Sequence, residues 1–365
     1  VNVAPPAPVA NDGERALLRE SAVRFVARTE PGYRPDAWST FAELGWLAIV
    51  APDAAGGIGA TLADAGALIE PFGAGLLVTP FVDEVVYAGA LLAAARDALA
   101  ARTLAATIDG SRHVAAATRE HDDAFDPLHV RTRIVSGDGG LALEGTKTDV
   151  AFAGGAGAFV VSARDERDDL RLVLVDASAP GVAIAERVDV DGGRRAVVTF
   201  ARAPLAADAV LDVPDPIATL QRARDRASAA TCAEAVGVIR RAYRETAAFV
   251  NAREQFGKPI AAFQVVRHRI ADMYVEAELA AAAAEIALAA ADADGPDPAR
   301  RVSLAAFQVA RSGRAVCEAA VQLHGAMGIA AESVVSHALA RMTMLAVTHG
   351  DPTFHLQRYI ATEGT

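Results

Sequence analysis

From Ile217 onward the chain reads as helix almost without a break, and this run limits the possible folds more than any other feature. Four long helical patterns, 217–251, 261–291, 298–326 and 332–345, follow one another with short connections. Helices of that length with so little chain between them pack side by side as an antiparallel four-helix bundle. The clearest turn is DADGPDP at 292–298, where Asp, Gly and Pro punctuate the pattern. The alanine-rich run 280–291 is interrupted by Glu285 and flanked by Glu276, Glu278, Asp292 and Asp294. A membrane span needs ~20 strongly apolar residues, so this run is expected to be a bundle helix, and no span is expected.

Upstream the texture differs twice. To about residue 110 helical patterns recur: 16–29 is amphipathic, and Trp38, Phe41, Leu44, Leu47 and Ile49 extend an apolar face. The loop PDAAGGIGA at 52–60 is glycine-rich, but no Lys-Ser/Thr follows and no strand precedes it, so it reads as a turn between helices. Helices resume from Leu62 to Ala101, past Pro71 and Pro80. Between 111 and 213 short strand-like runs appear at 113–117, 130–135, 141–143, 159–163, 170–175, 182–188 and 197–200, separated by Gly, Asp and Pro clusters. No helical period intervenes and no GxGxxG follows a strand, which predicts an antiparallel β domain or barrel and argues against a Rossmann sheet. The expected fold is α+β, mainly α, with helices over 1–110, a β domain over 111–213 and the bundle over 214–365.

Composition bounds the partners. A net charge of −11 argues against a nucleic-acid surface. The eight histidines form no HExxH or i, i+4 pair, so no metal site is expected, and there is no GxSxG elbow. Cys232 and Cys317 sit alone in apolar helical contexts and read as buried, inert thiols, consistent with a cytoplasmic protein. The opening VNVAPPAPVAND lacks the basic start and apolar core of a secretory signal.

Two motifs carry chemistry: AREQFGKPIAAFQ at 252–264 and QLHGAMG at 322–328. In residue identity, spacing and the order of helical, β and bundle segments, the chain resembles the acyl-CoA dehydrogenase family. GTKTDVAFAGGAGAFVVSAR at 145–164 is similar to that family's middle-domain pattern. The resemblance implies FAD as cofactor, an acyl-CoA thioester bound between β domain and bundle, and an electron-transfer flavoprotein as electron acceptor. It implies that Arg253, Gln255 and Phe256 reach the flavin of a neighbouring subunit, Arg253 pairing with the pyrophosphate through a planar guanidinium. Gln264 matches a position near the cofactor. Gln322, His324 and Gly325 belong to a turn that contacts the adenosine side. A site shared by two chains implies at least a dimer, either a homodimer or tetramer or a heterotetramer with a paralogous subunit.

Three departures stand out. The family's flavin loop carries a Gly-Ser pair; here 118–126 reads TREHDDAFD, which keeps Thr118 and brings three aspartates. Ile329 replaces a frequent aromatic. The glutamate that removes the proton next to the thioester carbonyl is replaced by His349, and the family's alternative glutamate position falls on Ala227. His349, Asp351 and Asp225 are the remaining candidates for the base, each with an ordinary reading as turn residue, helix cap or solvated charge. Arg226, in the cluster 222–226, could meet the 3′-phosphate of CoA. The sequence thus leaves three readings: an acyl-CoA dehydrogenase with an unconventional base, a non-catalytic half-site subunit of a heteromeric dehydrogenase, or a flavin-dependent oxidase or monooxygenase acting on a non-thioester substrate.

Overall fold

The structure, a computed structural model, describes residues 12–122, 125–137, 140–293 and 297–361. The opening VNVAPPAPVAN, Asp123 of the acidic loop and the centre of the predicted 292–298 turn lie outside the described residues. Helices α1 (Asp12–Val26), α2 (Ala37–Glu43) and α3 (Leu62–Ala74) come first, with two-residue strands β1 (Gly32–Tyr33) and β2 (Leu77–Val78). A π-helical segment, Phe81–Ala88, runs into α4 (Gly89–Ala93), and α5 (Ala98–Ile108) follows. The strands are β3 (Val114–Ala117), β4 (Arg133–Gly137), β5 (Gly140–Ala151), β6 (Ala158–Arg164), β7 (Leu170–Asp176), β8 (Val182–Val188) and β9 (Arg194–Pro204). Then come α6 (Pro216–Ala252), the hairpin β10 (Glu254–Gln255) and β11 (Lys258–Pro259), α7 (Gln264–Ala291), α8 (Pro298–His324), α9 (Val334–Leu345) and α10 (Pro352–Ala361). The fold is the predicted mainly helical α+β class with a central sheet. Among the described residues no helix is long and apolar enough to cross a membrane.

Two compact units form. One comprises Tyr33–Ala60 and Thr79–Ala227; the other takes the residues up to Gly32, Thr61–Val78 and everything from Ser228. In the first, the sheet runs β3-β6-β4-β5-β9-β8, with β7 on the other side of β6. Most neighbours are antiparallel, as hairpin-like spacing predicts; β3 and β4 instead both lie parallel to β6, so the predicted all-antiparallel sheet is mixed. Alternation puts Leu143, Phe159, Val161, Val173, Val198 and Phe200 into one apolar core. The 52–60 loop is a turn, with a short 3-10 segment at Asp53–Ala55.

Beside that core lies a charge. Lys147, one of the chain's two lysines, is fully buried, and its Nζ donates to Glu120 at 2.7 Å and to Ser162 Oγ at 3.0 Å. Glu120 also accepts from the Arg131 and Thr132 amides and from Thr132 Oγ1. Burial pushes the Glu120 carboxyl up, but the charge and hydrogen bond of Lys147 outweigh it and hold the group below its ordinary value.

In the helical unit α3 and α6 touch backbone to backbone. A Cβ on Gly73 would sit 1.9 Å from the Glu234 carbonyl oxygen, and one on Gly237 would sit 2.0 Å from that of Glu70. The same two glutamates send side chains outward into ion pairs: Glu70 with Arg19 and Arg240, Glu234 with Arg341. Along α7 and α8, small residues such as Ala280, Ala284, Ala306 and Ala310 are buried, which lets these helices pack closely.

Gly237→Ala is expected to lower stability by about 3 kcal/mol, because rigid backbone has to move to admit the methyl group; urea unfolding followed by circular dichroism measures it. Lys147→Met leaves Glu120 buried without its cation and is expected to cost about 3–5 kcal/mol at neutral pH. Because the folded carboxyl is depressed, the wild-type pair contributes fully above the ordinary glutamate value of 4.5 and fades as pH falls through the lower folded value. The gap between wild type and Lys147→Met should therefore narrow in acid.

Candidate functional site

At the end of α6 the chain makes a tight hairpin. Gln255 pairs with Lys258, so Phe256 and Gly257 form a two-residue turn, with φ of 55° and 76°. Positive φ at both central positions is the type I′ arrangement that matches strand twist. Glycine adopts it freely; phenylalanine in the left-handed region is strained by about 1–3 kcal/mol. Phe256 is also 91% exposed. Arg253 sits at the hairpin base: its amide bonds the Phe249 carbonyl and its carbonyl accepts from Ile260, while its side chain is exposed. Gln255 is exposed, its amide donating to the neighbouring Glu254 carbonyl at 2.8 Å. Gln264 is exposed at the first position of α7.

The second motif is brought to the same end of the bundle. His324, the last residue of α8, stacks on Phe249 with ring centroids 4.2 Å apart, and its Nδ1 bonds the Ala320 carbonyl at 2.8 Å. Gly325 turns the chain at φ 60°, and Gly328 is buried where a Cβ would meet the Val321 carbonyl at 2.6 Å. Gln322 is exposed. Motifs far apart in sequence thus share one end of the helical unit, presenting a guanidinium, an aromatic ring and an open backbone turn.

The candidate bases are disposed otherwise. His349 is 8% exposed and lines a small cavity inside the bundle with Ser228, Thr231, Cys232 and His355; Ser228 Oγ donates to its carbonyl at 3.3 Å. Gly350, at φ 141°, turns the backbone beside it, and a Cβ there would lie 2.5 Å from His355 Nε2. Asp351 accepts from the Phe354 amide at 2.7 Å, so its carboxylate caps α10, and its carbonyl takes the His355 amide. Asp225 and Arg226 lie on the first part of α6, which belongs to the other unit; Asp225 is 6% exposed and Arg226 half-buried. Ala227, also there, is fully buried. The base candidates do not converge within one unit.

In the β unit Thr118 is 7% exposed, its hydroxyl bonded to the Tyr87 hydroxyl at 2.8 Å. The loop beyond it is tied down. Arg224 of α6 donates to the Phe125 carbonyl, and Arg119 lies 4.0 Å from the centroid of the Phe125 ring. Arg119 also bonds Asp149 at 3.0 Å, and Asp149 accepts from Arg187 as well. Burial raises the Asp149 carboxyl, but the Arg187 hydrogen bond and the nearby guanidinium charges hold it below the usual range. Asp126 turns back on its own loop and accepts from the Leu128 amide. The loop beyond Thr118 is thus laced by arginine–carboxylate pairs of its own unit and lacks the Gly-Ser donors of a flavin loop, whereas the bundle end presents an exposed guanidinium of the kind that suits a pyrophosphate.

Sequence reasoning missed Tyr87, Asp149 and the Lys147–Glu120 pair. Only Lys147 left a signal, as a rare lysine in an arginine-rich chain. Both cysteines are buried and free, with burial pushing the Cys232 thiol up to about 12; Cys317 is likewise raised to about 12, first by burial and then by Glu318. Among the described residues no cluster of three metal-ligating side chains occurs.

Comparison with known proteins places this geometry. Residues 13–111 match the acyl-CoA dehydrogenase N-terminal domain and residues 218–361 the acyl-CoA dehydrogenase C-terminal domain. The acyl-CoA dehydrogenase IpdE2 of Mycobacterium tuberculosis is 31% identical over 330 residues, covering 87% of this chain and 86% of that protein. Among solved structures, a variant of the Tcur3481-Tcur3483 steroid ACAD is 27% identical at a TM-score of 0.81, covering 95% of this chain and 96% of that one. A glutaryl-CoA dehydrogenase from Mycobacterium smegmatis in complex with FADH2 shares the fold at a TM-score of 0.86 and 21% identity, over 98% and 96% of the two chains. The chain belongs to the acyl-CoA dehydrogenase family.

Proposed function

We propose that this chain is the half-site subunit of a heteromeric acyl-CoA dehydrogenase that carries out α,β-dehydrogenation of an acyl-CoA thioester. A paralogous chain would contribute the carboxylate base and the flavin loop. What supports this reading is the contrast between a strained, 91% exposed Phe256 held out on its hairpin and a β face whose carboxylates are committed to arginines. A solvated aromatic ring in a costly conformation is explained by a binding surface that it completes. Arg253 would hold the pyrophosphate of FAD bound to the partner, with Phe256 and Gln255 beside it, and the turn from Gln322 through His324 and Gly325 would take the adenosine end. FAD when bound accepts the hydride; this chain's residues bind and orient it and contribute no proton acceptor. Electrons would pass on to an electron-transfer flavoprotein, and the Tcur3481-Tcur3483 relative carries a joint designation that fits a two-chain assembly.

A homomeric enzyme is the second reading, favoured by one observation: Asp225 is a buried carboxylate two residues from Ala227, where the family's alternative glutamate would stand. Flavin stoichiometry separates the two. Alone, the chain is expected to purify with almost no FAD. Co-expressed with a family member that carries the Gly-Ser loop and a glutamate base, it is expected to give a complex with about one FAD per two chains that bleaches anaerobically with acyl-CoA. A homogeneous homo-oligomer holding one flavin per chain and bleached by acyl-CoA would refute the half-site reading and turn attention to Asp225→Asn.

Two substitutions read the hairpin. Phe256→Gly relieves the left-handed strain and is expected to leave stability unchanged or raise it by about 1 kcal/mol, while FAD dissociates from the complex at least tenfold faster, as dialysis with flavin absorbance would show. Arg253→Ala is expected to weaken FAD retention by about 10- to 100-fold, consistent with about 1.5–3 kcal/mol for a hydrogen bond to a charged group.

A further inference from the structure

The helical unit contains a second concave site that the proposed function does not use. A cleft of about 540 Å3 lies beneath α1, lined by α1, α3, α6 and α7 and partly open to solvent. That volume is within the range of about 300–1,000 Å3 in which proteins hold small molecules. It exists because the residues facing it are small: Ala63, Gly66 and Ala67 on α3, Ala233 on α6, Ala281 and Ala284 on α7, with Val236 and Leu288 completing an apolar floor. The helix above it is loosely seated. Of α1 only Ala22 is buried, while Leu17 and Val23 are 64% and 50% exposed. Two ion pairs hold it down: Arg15 on Asp64 at 2.7 Å and Arg19 on Glu70 at 2.7 Å.

The charge is unbalanced only around Glu70, since over the whole lining Arg15, Arg19 and Arg240 are matched by Asp12, Glu70 and Glu285. Asp64, whose side chain has no solvent exposure, neutralises Arg15. Glu70 is shared between two guanidiniums, Arg19 through both of its terminal nitrogens and Arg240 from the opposite helix at 2.5 Å. One carboxylate against two arginines leaves a net single positive charge, on groups only 43%, 17% and 29% exposed. Of the other charged groups lining the cavity, Asp12 and Glu285 are solvent-exposed, where water screens them. Two planar guanidiniums gathered at one carboxylate beside an apolar floor suit one ligand class: an anionic head with an apolar body.

We propose that this cavity binds a small amphipathic carboxylate, its head seated at Arg19 and Arg240 and its apolar body on the alanine floor, and that binding clamps α1 onto the unit. The site is separate from the motifs at the hairpin end, so it stands or falls independently of the half-site reading.

The test is hydrogen–deuterium exchange on the full chain with octanoate, octan-1-ol or inorganic phosphate. Octanoate is expected to slow exchange at least fivefold in peptides covering 12–26 and 62–74, with little change over 252–264 or 322–328. Arg19→Gln leaves Arg240 to neutralise Glu70 and is expected to weaken octanoate at least tenfold. Ala67→Leu fills the floor, keeps every charge and is expected to abolish octanoate protection, so the proposal remains testable if Arg19→Gln unfolds. Equal protection by octan-1-ol would mean that the charge is irrelevant, and equal protection by phosphate that the floor is; either result overturns the proposal. So does protection by octanoate that survives Ala67→Leu, or no protection of 12–26 by octanoate.

Discussion

Much of the helical unit hangs on the backbone contact between α3 and α6. Helices usually stand about 8–10 Å apart with side chains between them; glycine lets two axes come closer and turns carbonyl oxygens into packing surface. Gly73 and Gly237 do this reciprocally, each resting on the carbonyl of the glutamate that sits near the other glycine. The glutamate side chains then have no room inward and are directed to Arg19, Arg240 and Arg341, which ties α1 and α9 to the same pair of helices. One close approach thus fixes the spacing of the bundle and directs the ion pairs that hold its outer elements. The cavity under α1 follows from it, because the small residues that permit close packing leave space where a third helix crosses above them.

The β unit solves a different problem with the same chemistry. A lysine buried beside the apolar core is costly unless a carboxylate and further donors complete its surroundings. Glu120 accepts from two amides and a hydroxyl besides Lys147, which leaves little of the carboxylate unsatisfied. Two residues after Thr118, it anchors the start of the acidic loop to the interior of the sheet. Arg224 and Arg119 then fix the Phe125 end. A loop held at both ends by side chains from its own unit is poorly placed to rearrange around a cofactor.

What the sequence disclosed followed the range of each interaction. The 3.6-residue period from Ile217 onward reports burial within one helix, so the bundle was readable, and so were the strands from their alternation and turns. The parallel neighbour of β3 was not, because register with β6 is set by a pairing more than forty residues away. Nor was the π-helical turn at Phe81–Ala88, where Tyr87 reaches Thr118 and Glu84 reaches His113. Arg240 and Glu70 are 170 residues apart and nothing local links them. At the candidate site the two motifs were legible through their resemblance to the family's signatures, while the hairpin geometry of the first was not. The direction of His349 was not, since it depends on how Gly350 and His355 pack after the chain has turned.

Asymmetry between the two motif-bearing regions is hard to reconcile with simple decay of an enzyme. Loss of function relaxes selection on every part of a site, and an exposed phenylalanine in the left-handed region carries a strain of about 1–3 kcal/mol that glycine would remove together with the exposed ring. Phe256 stands in a hairpin with Arg253 and Gly257, while Thr118 stands without a Gly-Ser pair beside it. Strain persists where something outside the free chain compensates it. In the hairpin, the half-site proposal assigns that compensation to the surface of a partner chain. Under the half-site proposal a partner that brings a flavin would supply an anion for the guanidinium and an apolar face for the ring at the same time, while the β-domain loop stays paired with its own arginines.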